Sequence, residues 1–123
     1  MPYQPVGVRC SLMTTDLHAL ATARSTTRLT ADDISTHVRN LGAPWHVADA
    51  SLTYDAEPSS MRDSATLVTQ AADIAEQLNH HPDMTVGYHR LRITITTHDS
   101  GGLTALDFAF AAQLELWRRA QTQ

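Results

Sequence analysis

Seven histidines stand among 123 residues: His18, His37, His46, His80, His81, His89 and His98. Two are adjacent, in the stretch LNHHPDM, just after an apolar helical stripe and just before Pro82. Histidine is the side chain whose charge changes near neutral pH, so positioned imidazoles can donate and accept protons. Pro82 pushes His81 out of the helical region, and consecutive side chains of an extended segment point in different directions. The two imidazoles should therefore face different neighbours. Glu76, four residues before His80, could reach that ring if the helix extends so far, and would then orient it. His98 is expected to end a strand on its polar side. It could converge on the pair if its hairpin folds back beside the helix.

Other chemistries are weaker on the same residues. His80, His81, His98 and Glu76 offer nitrogen and oxygen ligands for a metal. Adjacent histidines diverge, however, and the spacing matches no common metal motif. There is no Gly-x-Ser-x-Gly for a serine nucleophile, and Gly101-Gly102 alone is a turn, not a phosphate loop. Structural roles also stand open. A histidine at a helix end is often a cap or surface group, and Glu76 can be a solvated helix partner. Asp107 completes a capping box whether or not it serves a site.

The totals narrow the class. A chain of this length forms one domain with its own core. Cys10 is the single cysteine, which excludes an internal disulfide or a cysteine zinc site and suits the reducing cytoplasm. A formal net charge of −4 argues against general nucleic-acid binding. No apolar run approaches the ~20 residues of a membrane span.

Residues 1–29 carry no firm pattern and are expected to be an N-terminal extension, with the domain at 30–123. Thr30 and Asp33 resemble a capping box, followed by Ile34, Val38 and Leu41 on one helical face and Gly42 and Pro44 as a stop. Trp45 to Tyr54 alternates as a short hairpin. Pro58 should open a second helix, running to about Leu78, with a stripe through Val68, Ala72 and Ala75. Residues 84–88 could pair with a strand in which Leu91, Ile93 and Ile95 face one way and Arg90, Arg92 and Thr94 the other. Thr104 and Asp107 open a last helix through Phe110, Leu114 and Trp117. The order α-β-β-α-β-β-α predicts an α+β fold: a two-layer sandwich with helices packed on one face of a four-stranded antiparallel sheet.

With these motifs in place, the chain resembles the pterin-4a-carbinolamine dehydratase family. AEQLNHHPDM, Tyr88 and RITITTHDSGGLTALD carry the likeness, with Glu76, His80, His81, Pro82, Tyr88, His98 and Asp107 in register. Weaker similarity reaches back through Trp45 to RLTADD. The resemblance implies the fold already read. It also implies the loss of water from 4a-hydroxytetrahydropterin to give quinonoid dihydropterin, which recycles the pterin with no further cofactor and no metal. It makes His80, His81 and His98 the catalytic set: His80 and His98 as acid and base on the two sides of C4a, and His81 holding the substrate. Glu76, Asp83, Thr97, Asp99 and Asp107 become supporting or substrate-binding residues. A cytoplasmic homodimer or homotetramer follows, with no direct nucleic-acid or membrane partner. Some family members act instead as dimerisation cofactors or assembly factors, so a binding role is the rival expectation. Met84 stands where the family prefers an aromatic residue.

Overall fold

A computed structural model describes residues 17–121. Helix α1 (Ala31–Leu41) starts at Thr30, whose hydroxyl accepts the Asp33 N–H at 3.1 Å. This satisfies one of the donors a helix start leaves open. Gly42, at φ +76°, ends the helix. Strands β1 (Trp45–Ala48) and β2 (Ser51–Ala56) then form a hairpin. Its turn is Asp49-Ala50, with φ of +53° and +62°. Two positive φ angles match the right-handed twist of the flanking strands, although Ala50 pays a steric cost that glycine would not.

Helix α2 (Met61–Leu78) is capped by Ser60, which accepts the Asp63 N–H at 3.1 Å. Pro58 therefore lies outside the helix and not in its first turn: the hydroxyl two residues later supplies the cap. Asn79, at φ +52°, closes α2. Strands β3 (Asp83–Gly87) and β4 (Arg90–Ile95) follow, then a 3-10 turn at His98–Ser100, then α3 (Ala105–Gln121). His98 does not end β4. The strand stops at Ile95, and His98 opens the turn beyond Thr97.

The sheet order is β1-β2-β4-β3, antiparallel throughout. Leu52 pairs with Ile95, Tyr54 with Ile93, and Met84 with Ile93, so these residues share the face that the helices cover. Thr53 and Thr94, Asp55 and Arg92 pair on the open face. The polar side of an antiparallel sheet can face water in this way. Helix α3 fills the centre of the core, with Phe108, Phe110, Ala111 and Leu114 fully buried. The α+β sandwich has the expected order.

Residues 1–16 lie outside the described residues, so that part of the expected extension is not characterised. From residue 17 the chain is packed, and the expected boundary at 30 does not mark where packing begins. A helical turn at 17–21 buries Leu17, Leu20 and Ala21 in the core. The Gln113 amide donates to the Ala21 carbonyl at 2.9 Å. Residues 25–29 then brace the loop that leads into α3. Leu29 N–H donates to the Leu103 carbonyl at 2.9 Å, and the Ser100 hydroxyl to the Thr26 carbonyl at 2.5 Å.

Candidate functional site

The end of α2 determines where the paired histidines go. Asn79 takes the left-handed conformation, and its N–H and that of His80 fold back onto the Glu76 and Ala75 carbonyls. The chain leaves the helix axis before His80, so His80 does not continue the row above Glu76. The expected Glu76–His80 pair does not form. Instead His81 Nε2 donates to Glu76 Oε2 at 2.6 Å, and His80 Nε2 donates to Asp107 Oδ1 at 2.6 Å. The two imidazoles face different partners.

These pairs differ in environment. His81 and Glu76 are 53% and 75% exposed at the side chain, so water screens their attraction. His80 and Asp107 are 14% and 0% exposed. Asp107 sits in the first turn of α3, and its Oδ2 accepts two further hydrogen bonds. One comes from the Thr104 N–H at 2.9 Å and one from the Thr97 hydroxyl at 2.7 Å. Thr97 and Thr104 hydroxyls lie 2.9 Å apart. Thr97 spends its one proton on Asp107, so Thr104 donates to Thr97. The capping box expected at Thr104 and Asp107 is therefore half formed. The Asp107 carboxylate caps the Thr104 N–H, but the Thr104 hydroxyl turns to Thr97 and not to the Asp107 N–H.

The contact with a carboxylate assigns the ring proton. An ionised carboxylate only accepts, so His80 Nε2 must carry the hydrogen. In a neutral ring Nδ1 is then the free lone pair, able to take a proton. The residue after Thr97 is His98, which opens the 3-10 turn. It is exposed, and its ring makes no hydrogen bond among the described residues. The hydroxyl of Thr97 ties the base of its turn to Asp107, and residues 25–29 hold the other side.

The structure thus assembles His80, Asp107, Thr97 and Thr104, attaches His98 beside them, and pairs His81 with Glu76. Asp99 is exposed in the 3-10 turn, and Asp83 begins β3 opposite Thr94, on the open face. Neither side chain bonds to the cluster. Thr104 was read only as a cap; its hydroxyl role has no local signature, because its partner depends on how β4 exits the sheet. No group of three or more His, Cys, Asp or Glu among the described residues is arranged to hold a metal ion.

An α+β sandwich with a carboxylate-anchored imidazole at one helix end and a second imidazole on the adjoining loop defines a small domain built around positioned histidines. The sequence profile described as Pterin 4 alpha carbinolamine dehydratase matches residues 27–117. A Solibacter usitatus protein, provisionally named pterin-4-alpha-carbinolamine dehydratase, is 39% identical over 90 residues, 73% of this chain and 94% of that one. A Chloroflexus aggregans protein with the same provisional name is 54% identical over 48 residues, 39% of this chain and 51% of that one. Among solved structures, a transcriptional coactivator/pterin dehydratase from Brucella melitensis aligns with a TM-score of 0.68 and 29% identity, covering 73% of this chain and 97% of that one. The chain belongs to the pterin-4-alpha-carbinolamine dehydratase family.

Proposed function

We propose that the protein dehydrates a 4a-hydroxytetrahydropterin to the quinonoid dihydropterin by histidine acid–base catalysis. The observation that carries this reading is the buried 2.6 Å bond from His80 to Asp107, which leaves His80 Nδ1 as a proton acceptor. In the reaction the C4a–O bond breaks and the N5–C4a double bond forms. His80 takes the proton from N5. His98, in its protonated form, gives a proton to the departing hydroxyl, which leaves as water. His81, steadied by Glu76, holds the substrate. The pterin is the substrate and no resident cofactor takes part. Dehydration of freshly generated 4a-hydroxytetrahydropterin, followed spectroscopically, tests the proposal. A rate no faster than the uncatalysed one ends it, and near-wild-type rates in both His80→Ala and His98→Ala end the assignment of roles.

A second reading is a binding, dimerisation or assembly role with little or no catalysis. Its support is the coactivator wording attached to the Brucella structure. In either role we expect a cytoplasmic homodimer or homotetramer. The outer strands β1 and β3 are open edges, and they carry exposed Val47 and Val86. No described helix is long and apolar enough to cross a membrane.

A further inference from the structure

Helices α2 and α3 run side by side, and the histidine cluster sits where α2 ends and α3 begins. At their other ends, the first turns of α2 and the last turns of α3 enclose a cleft of about 500 Å³ above β2. Asp63 on its wall and Glu76 at the histidine end are 13 residues apart on one helix. At 1.5 Å per residue that is about 20 Å, so the cleft is separate from the histidines.

Tyr54 contributes to the floor of the cleft. Its side chain is on the helix-covered face, 3% exposed, with its ring 5.0 Å from that of Trp45. A buried tyrosine normally finds a partner for its hydroxyl. Here the hydroxyl makes no hydrogen bond among the described residues. Nor is it among the sealed side-chain atoms left without a partner, which are His37 Nδ1 and Ser64 Oγ. It therefore opens toward the cleft. Burial pushes the phenol above its ordinary range, so it stays neutral, and its oxygen can accept a hydrogen bond from a ligand.

The remaining walls specify charge and shape. Trp117 and Leu67 supply apolar surface. Glu57 and Asp63 are exposed carboxylates with no ion pair among the described residues. Arg118, the cation lining the cleft, spends its fork on buried Glu115, at 3.2 Å through Nε and 2.6 Å through the terminal nitrogen. Arg62 lines a separate depression beyond Trp117. An anion would meet two carboxylates here with the arginine already engaged. A hydrocarbon would leave the Tyr54 hydroxyl unanswered.

We propose that this cleft is a binding site for a small organic cation with a flat apolar body, an aryl-alkyl ammonium. Its ring packs on Trp117 and Leu67, its ammonium lies between Glu57 and Asp63, and the Tyr54 oxygen accepts one hydrogen bond from that ammonium. Carboxylates favour a cation, an indole favours a flat aromatic ring, and the volume lies in the range of small-molecule sites.

The test is a titration of the full chain followed by proton–nitrogen NMR. 2-Phenylethylammonium is the probe, with 2-phenylethanol and phenylacetate as neutral and anionic controls. Saturable shifts should appear at the Trp117 indole N–H and in the backbone of residues 54–57 and 63–67. Affinity for the cation should exceed that for either control by about tenfold or more. Glu57→Gln with Asp63→Asn should weaken the cation by about tenfold, and Tyr54→Phe severalfold. The surface pair keeps the test valid if Tyr54→Phe fails to fold. Equal binding of all three probes, or shifts confined to residues 76–81, overturns the site. So does the same pattern arising without probe as protein concentration rises, because a second copy of the chain would then fill the cleft.

Discussion

Asp107→Asn is the substitution that separates a catalytic anchor from a plain helix cap. The carboxylate accepts three hydrogen bonds, at 2.6 Å from His80, 2.7 Å from Thr97 and 2.9 Å from the Thr104 N–H. An asparagine of the same shape has one acceptor oxygen. Two of the three donors converge on the Oδ2 position, so the amide oxygen takes that place and its NH2 faces His80. Two donors cannot face one another, so the His80 proton moves from Nε2 to Nδ1. The outward nitrogen then donates where it formerly accepted, and His80 can no longer begin the reaction as a base. Loss of a positioned base costs between about 10²- and 10⁴-fold in rate.

Stability should change much less. Bonds to a charged acceptor contribute about 1.5–3 kcal/mol and neutral ones about 0.5–1.5, so three weakened bonds lose roughly 3 kcal/mol. Removing a fully buried charge also removes its desolvation cost, which offsets part of that. A net loss of about 1–2 kcal/mol lowers the melting temperature by roughly 5–10 °C. The assays are the pterin dehydration rate, the melting temperature, and nitrogen NMR of the His80 ring, which reports the tautomer directly. Thr97→Val removes one donor but keeps the carboxylate, so its rate should fall only about tenfold, with Thr97→Ser restoring it. An Asp107→Asn enzyme that folds, melts lower and yet keeps its rate within about threefold would refute the reasoning, leaving Asp107 a cap and nothing more.

Three further outcomes follow from the packing. Glu115 is 1% exposed and accepts hydrogen bonds from Trp45, Arg118 and Arg119. Glu115→Ala should cost about 2–4 kcal/mol in urea unfolding, discounted because both arginines can regain water. Ala50→Gly relieves the φ of +62° in the β1–β2 turn and should raise the urea midpoint by about 0.5–1 kcal/mol of stability with an unchanged slope. His37 packs against Phe108, and burial holds its imidazole below the ordinary 6.5, with Asp33 pulling the other way. Its unfolded form binds a proton more readily, so stability is complete above about pH 6.5 and declines as pH falls from there toward the folded value. His37→Leu should flatten that part of the decline when urea midpoints at pH 7 and pH 5 are compared.

What the chain reveals by itself is the part written in neighbouring residues. The alternation of Leu91, Ile93 and Ile95 against Arg90, Arg92 and Thr94 marks a half-buried strand, because strand side chains repeat every two residues. Thr30 before Asp33 and Gly42 after Leu41 bracket α1 by the same kind of short-range rule. Pro58 misled because two start signals compete there, and the hydroxyl of Ser60 wins. The docking of Leu17 and Leu20 into the core was not legible, since it depends on tertiary packing and no short-range rule marks it. One partner of Glu115 is distant in sequence: its buried carboxylate meets the Trp45 indole 70 residues away, beside the local Arg118 and Arg119.

The histidine cluster shows why local reading stops short of a site. Asp107 is legible as a cap because its partner Thr104 is three residues away, and that contact does exist. The same carboxylate has a second oxygen, and its partner is 27 residues distant. Two features of the fold bring them together. The left-handed turn at Asn79 takes His80 off the α2 axis, and the central place of β4 in the sheet brings Thr97 out beside the start of α3. Both are consequences of tertiary structure, since the helical row alone would have paired Glu76 with His80. A capping residue with a spare oxygen at a helix start is thus already half of an anchored imidazole. Which histidine completes it depends on the left-handed turn at Asn79, where both backbone angles reverse sign.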